Sequence, residues 1–182
     1  MNTYISILRG INVSGHRKIA MSDLKDLYED LQFKAVTTYI QSGNVIFKAA
    51  ESAAKGDLPK KIEKAILEAY GFEVPVIIRT IAEIEQIIAK NPFLPDSNTD
   101  LEKLHITFLS AMPDEEKLKS IATVDFSPDK FIINNREVFL YIPGGYGNTK
   151  LSNNFFEGKM KVTATTRNWK TVNKLLELAI TL

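Results

Sequence analysis

The order in which hydrophobic periodicity changes over residues 1–80 constrains this chain more than any other feature. Tyr4-Ile5-Ser6-Ile7-Leu8-Arg9 reads as a strand whose polar end opens into the loop Gly10-Ile11-Asn12-Val13-Ser14-Gly15-His16-Arg17-Lys18. Leu24, Leu27, Tyr28 and Leu31 then recur on one helical face, with Ser22 placed to cap the first turn. Alternation runs from Val36 to Gln41 and from Val45 to Lys48 around Ser42-Gly43-Asn44. This predicts a hairpin whose two-residue turn, Gly43-Asn44, pairs Ser42 with Val45 and Ile40 with Phe47. That register gathers Val36, Thr38, Ile40, Val45 and Phe47 on a core face, and leaves Thr37, Tyr39, Gln41, Ile46 and Lys48 on a mixed face suited to lining a cleft. Asp57 and Pro59 start a second helix striped by Ile62, Ala65, Ile66 and Ala69, Gly71 stops it, and Val74 to Arg79 is another strand. The order β-α-β-β-α-β is that of a ferredoxin-like sandwich, two helices over one face of an antiparallel sheet.

Thr80 and Glu83 form a capping box for a bridging helix carrying Ile81, Ile84, Ile87 and Ile88, which must stop before Pro92. The two prolines and polar residues of Asn91 to Leu101 mark a boundary. Beyond it the order recurs: strand Leu104 to Leu109, helix Pro113 to Ala122, strands Lys130 to Ile133 and Val138 to Ile142, a loop, and a helix from about Arg167 to Ile180 with Thr166 as its cap. The expected fold class is α+β, two ferredoxin-like βαββ(αβ) subdomains from a diverged duplication. The expected division is an N-terminal subdomain with the bridging helix over 1–90, a linker over 91–102 and a C-terminal subdomain over 103–182. On the last helix Trp169 shares a stripe with Val172, Leu175, Leu176 and Ala179, which makes it a core residue.

At 182 residues and 45% hydrophobic content, the chain can bury a sizeable core without disulfide or metal staples. It has no cysteine, which excludes thiol nucleophiles, Fe–S clusters and Cys-ligated zinc and fits a reducing compartment. Met1 to Arg9 reads as a strand rather than a signal peptide, and no apolar run approaches the ~18 residues of a membrane span, so a cytoplasmic location and no membrane partner are expected. Two distant histidines and scattered acids offer no H-E-x-x-H or EF-hand spacing; no metal or cofactor is expected.

The net charge of +1, from 23 Lys and Arg against 22 Asp and Glu, hides an asymmetry. Lys150, Lys159, Lys161, Arg167, Lys170 and Lys174 face Glu157 alone in the C-terminal segment, and the Arg9 to Lys18 loop is basic too, whereas Glu83 to Glu102 is acidic. Anionic partners fit this pattern. Gly10 to Gly15 has the G-x4-G spacing of a phosphate loop, but His16 and Arg17 stand where Lys and Ser or Thr are needed, which excludes a nucleotide triphosphatase of that type. The run Gly144-Gly145-Tyr146-Gly147-Asn148-Thr149-Lys150 suits either an anion cradle or a plain turn. His105, alternating with apolar residues, reads as a half-exposed strand histidine, and His16 has no acid nearby in sequence to orient it for catalysis. Arg167 in a first helical turn would meet an unfavourable dipole unless an acid or a bound anion compensated it, with Asn168 and Thr171 as further donors.

Leu8-Arg9-Gly10-Ile11-Asn12-Val13, Thr38-Tyr39-Ile40-Gln41-Ser42-Gly43-Asn44-Val45 and Thr166-Arg167-Asn168-Trp169-Lys170-Thr171-Val172, with Met21 and the Tyr141 to Leu151 stretch, resemble the bacterial Domain of Unknown Function 1697 family. The resemblance departs at Ser14, where members usually carry glycine, and at Thr149, where serine is commoner. It implies a cytoplasmic α+β protein of two similar subdomains, with no known activity, cofactor or catalytic residue. Its motifs are polar and loop-borne, which nominates Arg9, Asn12, Gln41, Ser42, Asn44, Lys150, Arg167 and Asn168 as one ligand-binding set. In this reading Arg9 and Arg167 clamp a phosphate or carboxylate, Lys150 adds point charge, and Asn12, Gln41 and Asn44 orient it. The protein is then a binding protein or an enzyme of unassigned reaction. The alternatives are a nucleic-acid-binding domain using Tyr39, Tyr141 and Tyr146, disfavoured by a pI near 7.8, and a structural or interaction protein without a small-molecule site.

Overall fold

A computed structural model describes residues 1–50 and 57–182. The first six elements are β1 (Asn2–Leu8), α1 (Met21–Asp30), β2 (Lys34–Tyr39), β3 (Asn44–Ala49), α2 (Asp57–Tyr70) and β4 (Val76–Thr80). They form a four-stranded antiparallel sheet in the order β2-β3-β1-β4. Then come α3 (Ile81–Ala89), β5 (Leu104–Leu109), α4 (Glu115–Ala122), β6 (Lys130–Asn134), β7 (Glu137–Tyr141), α5 (Asn153–Met160), β8 (Ala164–Asn168) and α6 (Trp169–Thr181). The second sheet, β6-β7-β5-β8, repeats the topology of the first strand for strand. Two compact units result, Met1–Gln86 with Lys174–Leu182, and Ile87–Asn173.

In the first unit Tyr4, Leu8, Val45 and Phe47 lie on the sheet face covered by Leu24 and Tyr28 of α1 and Leu58, Ile62 and Ile66 of α2. Phe33, Phe47 and Tyr28 meet at ring separations of 4.5–5.9 Å, partly edge to face, as aromatic quadrupoles prefer. Ser6 breaks the apolar run on this face, but its hydroxyl bonds the Tyr28 hydroxyl at 2.6 Å, so neither buried group is left unpaired. Ile5, Ile7, Ile46 and Ile77 on the opposite face are buried as well. In the second unit Leu109, Val138, Leu140 and Ala164 pack with Ile121 of α4 and Phe156 and Met160 of α5.

Several expectations need correction. The first hairpin closes at Tyr39↔Asn44 through the four residues Ile40 to Gly43, with Thr38 opposite Val45, rather than through a two-residue turn. Ile40 therefore leaves the core, takes φ +51 and is 45% exposed. The mixed face of that hairpin is no open cleft: Ile46 is fully buried and the Lys48 ammonium donates to the Leu182 carbonyl at 3.2 Å. Ser22 does not cap α1, which starts from Ala20 without a side-chain cap; its hydroxyl bonds Asp23 instead. The capping box at Thr80 and Glu83 does form, with Thr80 N–H donating to Glu83 at 2.7 Å and Glu83 N–H to the Thr80 hydroxyl at 3.3 Å.

The largest correction concerns residues 153–168, expected as a loop running into a helix. They form α5 and β8, so Arg167 lies in a strand and α6 starts two residues later. Asn168, not Thr166, caps that helix, its side-chain oxygen accepting from Thr171 N–H at 2.8 Å. Arg167 thus avoids the helix dipole altogether.

Candidate functional site

The Arg9 to Lys18 loop is fixed at its base before it projects. Leu8 N–H donates to the Gly43 carbonyl and Arg9 N–H to the Pro75 carbonyl, both at 2.9 Å, and Ile11 is buried as an anchor. Asn12 closes the base. Its amide donates to the Ile19 and Gln41 carbonyls, and its oxygen accepts from Ile19 N–H, each at 2.9 Å. One side chain therefore ties both ends of the loop to the neighbouring Ile40 to Gly43 turn. Asn44 does the same within that turn, fully buried and donating to the Tyr39 carbonyl and the Ser42 hydroxyl.

Left-handed backbone concentrates here, at Gly10, Asn12, Ser14, Gly15, Arg17, Ile40 and Gly43. Such conformations cost free energy in non-glycine residues and persist only where the surroundings impose them. Ser14, at φ +50, occupies a position that glycine would hold without strain. This framework displays His16, Arg17 and Lys18, all exposed. Arg17 folds back over Gly10, its Nη1 3.7 Å from where a Cβ on that glycine would stand. Among the described residues no carboxylate pairs with any of the three. Arg9 is half-buried at the root of the loop and Gln41 is exposed beside it in the turn.

The remaining candidates, Lys150, Arg167 and Asn168, belong to the second unit. Lys150 is exposed. Arg167 is buried, its guanidinium donating to the Thr165 hydroxyl at 3.0 Å and the Thr166 carbonyl at 2.9 Å. The first unit has a counterpart that sequence reading missed. Arg79, only 1% exposed, stands opposite Ile5 as Arg167 stands opposite Ile106, immediately before a helix cap, and donates to the carbonyl of its own preceding residue at 3.0 Å. A buried arginine at the same register in both halves is what a duplicated scaffold leaves, and its only sequence signal is the recurrence of Arg before a capping Thr or Asn.

A polar cluster in the second unit was also missed. Thr166 accepts from the Tyr146 hydroxyl at 3.0 Å, donates to the Asn153 oxygen at 2.7 Å and lies 2.7 Å from the Thr107 hydroxyl. His105 stacks on Tyr146 with ring centroids 5.0 Å apart, and its Nδ1 lies 3.2 Å from the Lys103 carbonyl. The Gly144 to Lys150 run is a turn in which Gly145, Asn148 and Thr149 N–H donate to the Ile142, Gly145 and Tyr146 carbonyls. That favours the plain-turn reading over an anion cradle.

Burial lowers the His105 pKa below its ordinary 6.5; the hydrogen bond to the Lys103 carbonyl opposes this and the Lys103 charge adds to it. The unfolded chain thus binds a proton here more readily than the folded one. This group's contribution is complete above 6.5 and declines as pH falls below that value, levelling off under the lowered folded pKa. Melting temperature should therefore drop between about pH 7.5 and 5, and His105→Phe, which keeps the stacked ring, should remove part of that drop. An unchanged slope in the variant would show that His105 is not the group responsible.

Among the described residues no group of three or more His, Cys, Asp or Glu is arranged to hold a metal, and no helix is long and apolar enough to cross a membrane. Two four-stranded antiparallel sheets with flanking helices, each in ferredoxin-like order, define the class of this protein. The chain belongs to the family described as Protein of unknown function (DUF1697), whose model matches residues 1–139. The conserved bacterial protein SP0830 from Streptococcus pneumoniae shares the fold, with a TM-score of 0.78 and 21% identity over 98% of each chain. No curated protein matches this sequence.

Proposed function

We propose that this is a cytoplasmic binding protein for a small anionic ligand bearing phosphate or carboxylate, held at the Arg9 to Lys18 loop. The observation that carries this reading is the display of Arg17 and Lys18, without acidic partners among the described residues, on a backbone locked by the three hydrogen bonds of Asn12. Holding like charges on a strained loop is unfavourable for folding alone, and an anion would compensate it. Arg9 and Arg17 supply forked donors, Lys18 supplies point charge and Gln41 orients the ligand. Asn12, Ser42 and Asn44 hold the two loops in place rather than touching it. Arg167 acts as a scaffold residue of the second unit, where Lys150 and Asn168 are exposed. Base stacking on an open sheet is less compatible with the fold, because Ile5, Ile7 and Ile46 of one sheet and Ile106, Phe108 and Phe139 of the other are buried.

Calorimetric titration with inorganic pyrophosphate at low salt tests the proposal. Saturable binding should weaken about tenfold or more in Arg17→Ala and further in the double variant with Lys18→Ala, since charge-assisted bonds contribute about 1.5–3 kcal/mol. Heats indistinguishable from dilution, or equal affinity in parent and variants, would refute it.

A further inference from the structure

The second unit also contains a cavity of about 520 Å³, within the size range of pockets that hold small organic molecules. Phe131 and Ile133 of β6, Leu118 and Ala122 of α4, and Val124 and Phe126 from the connecting segment give it an apolar lining. The Phe126 ring is held edge-on to Phe131 and Phe155 at 5.7 and 5.2 Å, so this surface is shaped rather than loose. Three charged residues also line it, Asp125, Asp129 and Lys130.

Alternation along β6 sends Lys130 to the sheet face opposite Phe131 and Ile133, and its ammonium lies over the Tyr141 ring, 5.9 Å from the centroid. The Lys130 charge is thus engaged at Tyr141, and Asp125 and Asp129 are the acidic residues of the lining. Asp125 accepts from Ser127 N–H at 2.9 Å and from its hydroxyl at 2.6 Å, which lowers its pKa. Asp129 accepts from the Thr149 hydroxyl at 2.5 Å. Among the described residues neither is in an ion pair. We infer that this cavity binds a small amphipathic cation, an aromatic or short alkyl body against Phe126, Phe131 and Leu118 with an ammonium or guanidinium end at Asp125 and Asp129. The ligand is opposite in charge to the one proposed for the Arg9 to Lys18 loop, and no residue is shared.

Amide chemical-shift titration of the full chain with phenethylamine, 2-phenylethanol and 3-phenylpropionate tests this. Phenethylamine should give saturable shifts at Leu118, Ala122, Phe131 and Ile133, with 2-phenylethanol binding about tenfold more weakly and 3-phenylpropionate more weakly still. Asp129→Asn keeps an acceptor for Thr149, so it should weaken phenethylamine severalfold at unchanged melting temperature, as should Asp125→Asn. Ala122→Phe, which fills the cavity, should abolish the shifts. Equal binding of amine and alcohol, full affinity in both Asp→Asn variants, or no saturable shift at these residues with ~10 mM phenethylamine would overturn the assignment.

Discussion

Trp169→Ala should lower the unfolding free energy by about 3–5 kcal/mol, the range for large core truncations, out of a total of about 5–15 kcal/mol. Trp169 is 8% exposed and opens α6 above Val172, Leu175 and Ala179, all buried. Arg167→Ala, two residues upstream, should move stability in the same direction. Were Arg167 in a first helical turn, its removal would be neutral or favourable; in β8 it is a buried donor to Thr165 and Thr166, and deleting it strands acceptors at about 1–3 kcal/mol. Urea unfolding of both variants checks this. An Arg167→Ala protein as stable as the parent would mean that the guanidinium is not part of the packed interior.

Gly43→Val should also be strongly destabilising, for two separable reasons. The backbone sits at φ +79, and a Cβ there would stand 2.6 Å from Ile11 Cδ1, 2.9 Å from Ile11 Cγ1 and 3.0 Å from Leu8 Cβ. A left-handed non-glycine residue costs about 1 kcal/mol and overpacking about 1–3 more, for a sum of about 2–4 kcal/mol. Gly71, at φ +75 with nothing within 4 Å, is the control: Gly71→Ala should cost only the backbone part, about 1 kcal/mol. Thermal melts that place the two variants together would show that Ile11 yields to the new side chain. If Ile11 is displaced as expected, Gly43→Val should also loosen the Arg9 to Lys18 loop.

The first unit was legible because its apolar residues form a short strand-length run from Tyr4 to Leu8 in β1 and keep a helical period from Ile62 to Ile66 in α2. The hairpin register was not, because Ser42-Gly43-Asn44 mimics a two-residue turn while Asn44 is drawn into β3 by bonds to Tyr39 and Ser42. α5 and β8 were hidden by composition. α5 ends on Lys161, left-handed at φ +57 where glycine would have signalled a stop, and β8 is Ala-Thr-Thr-Arg-Asn, with too little apolar alternation to read as a strand. Polarity in the loop motifs could not separate residues free to present a group from those that support the backbone. Asn12 and Asn44 look like ligand donors in a sequence, and only their partners show that the backbone already occupies them.

The claim that this loop is an anion site has its most direct test in an amide chemical-shift map of the parent chain with inorganic pyrophosphate at low salt. Saturable shifts confined to Gly10 to Lys18 and Ile40 to Gly43, and lost in the Arg17→Ala, Lys18→Ala double variant, are the predicted result. Shifts that are absent, that scatter over lysines throughout the surface, or that survive unchanged in the double variant would contradict it.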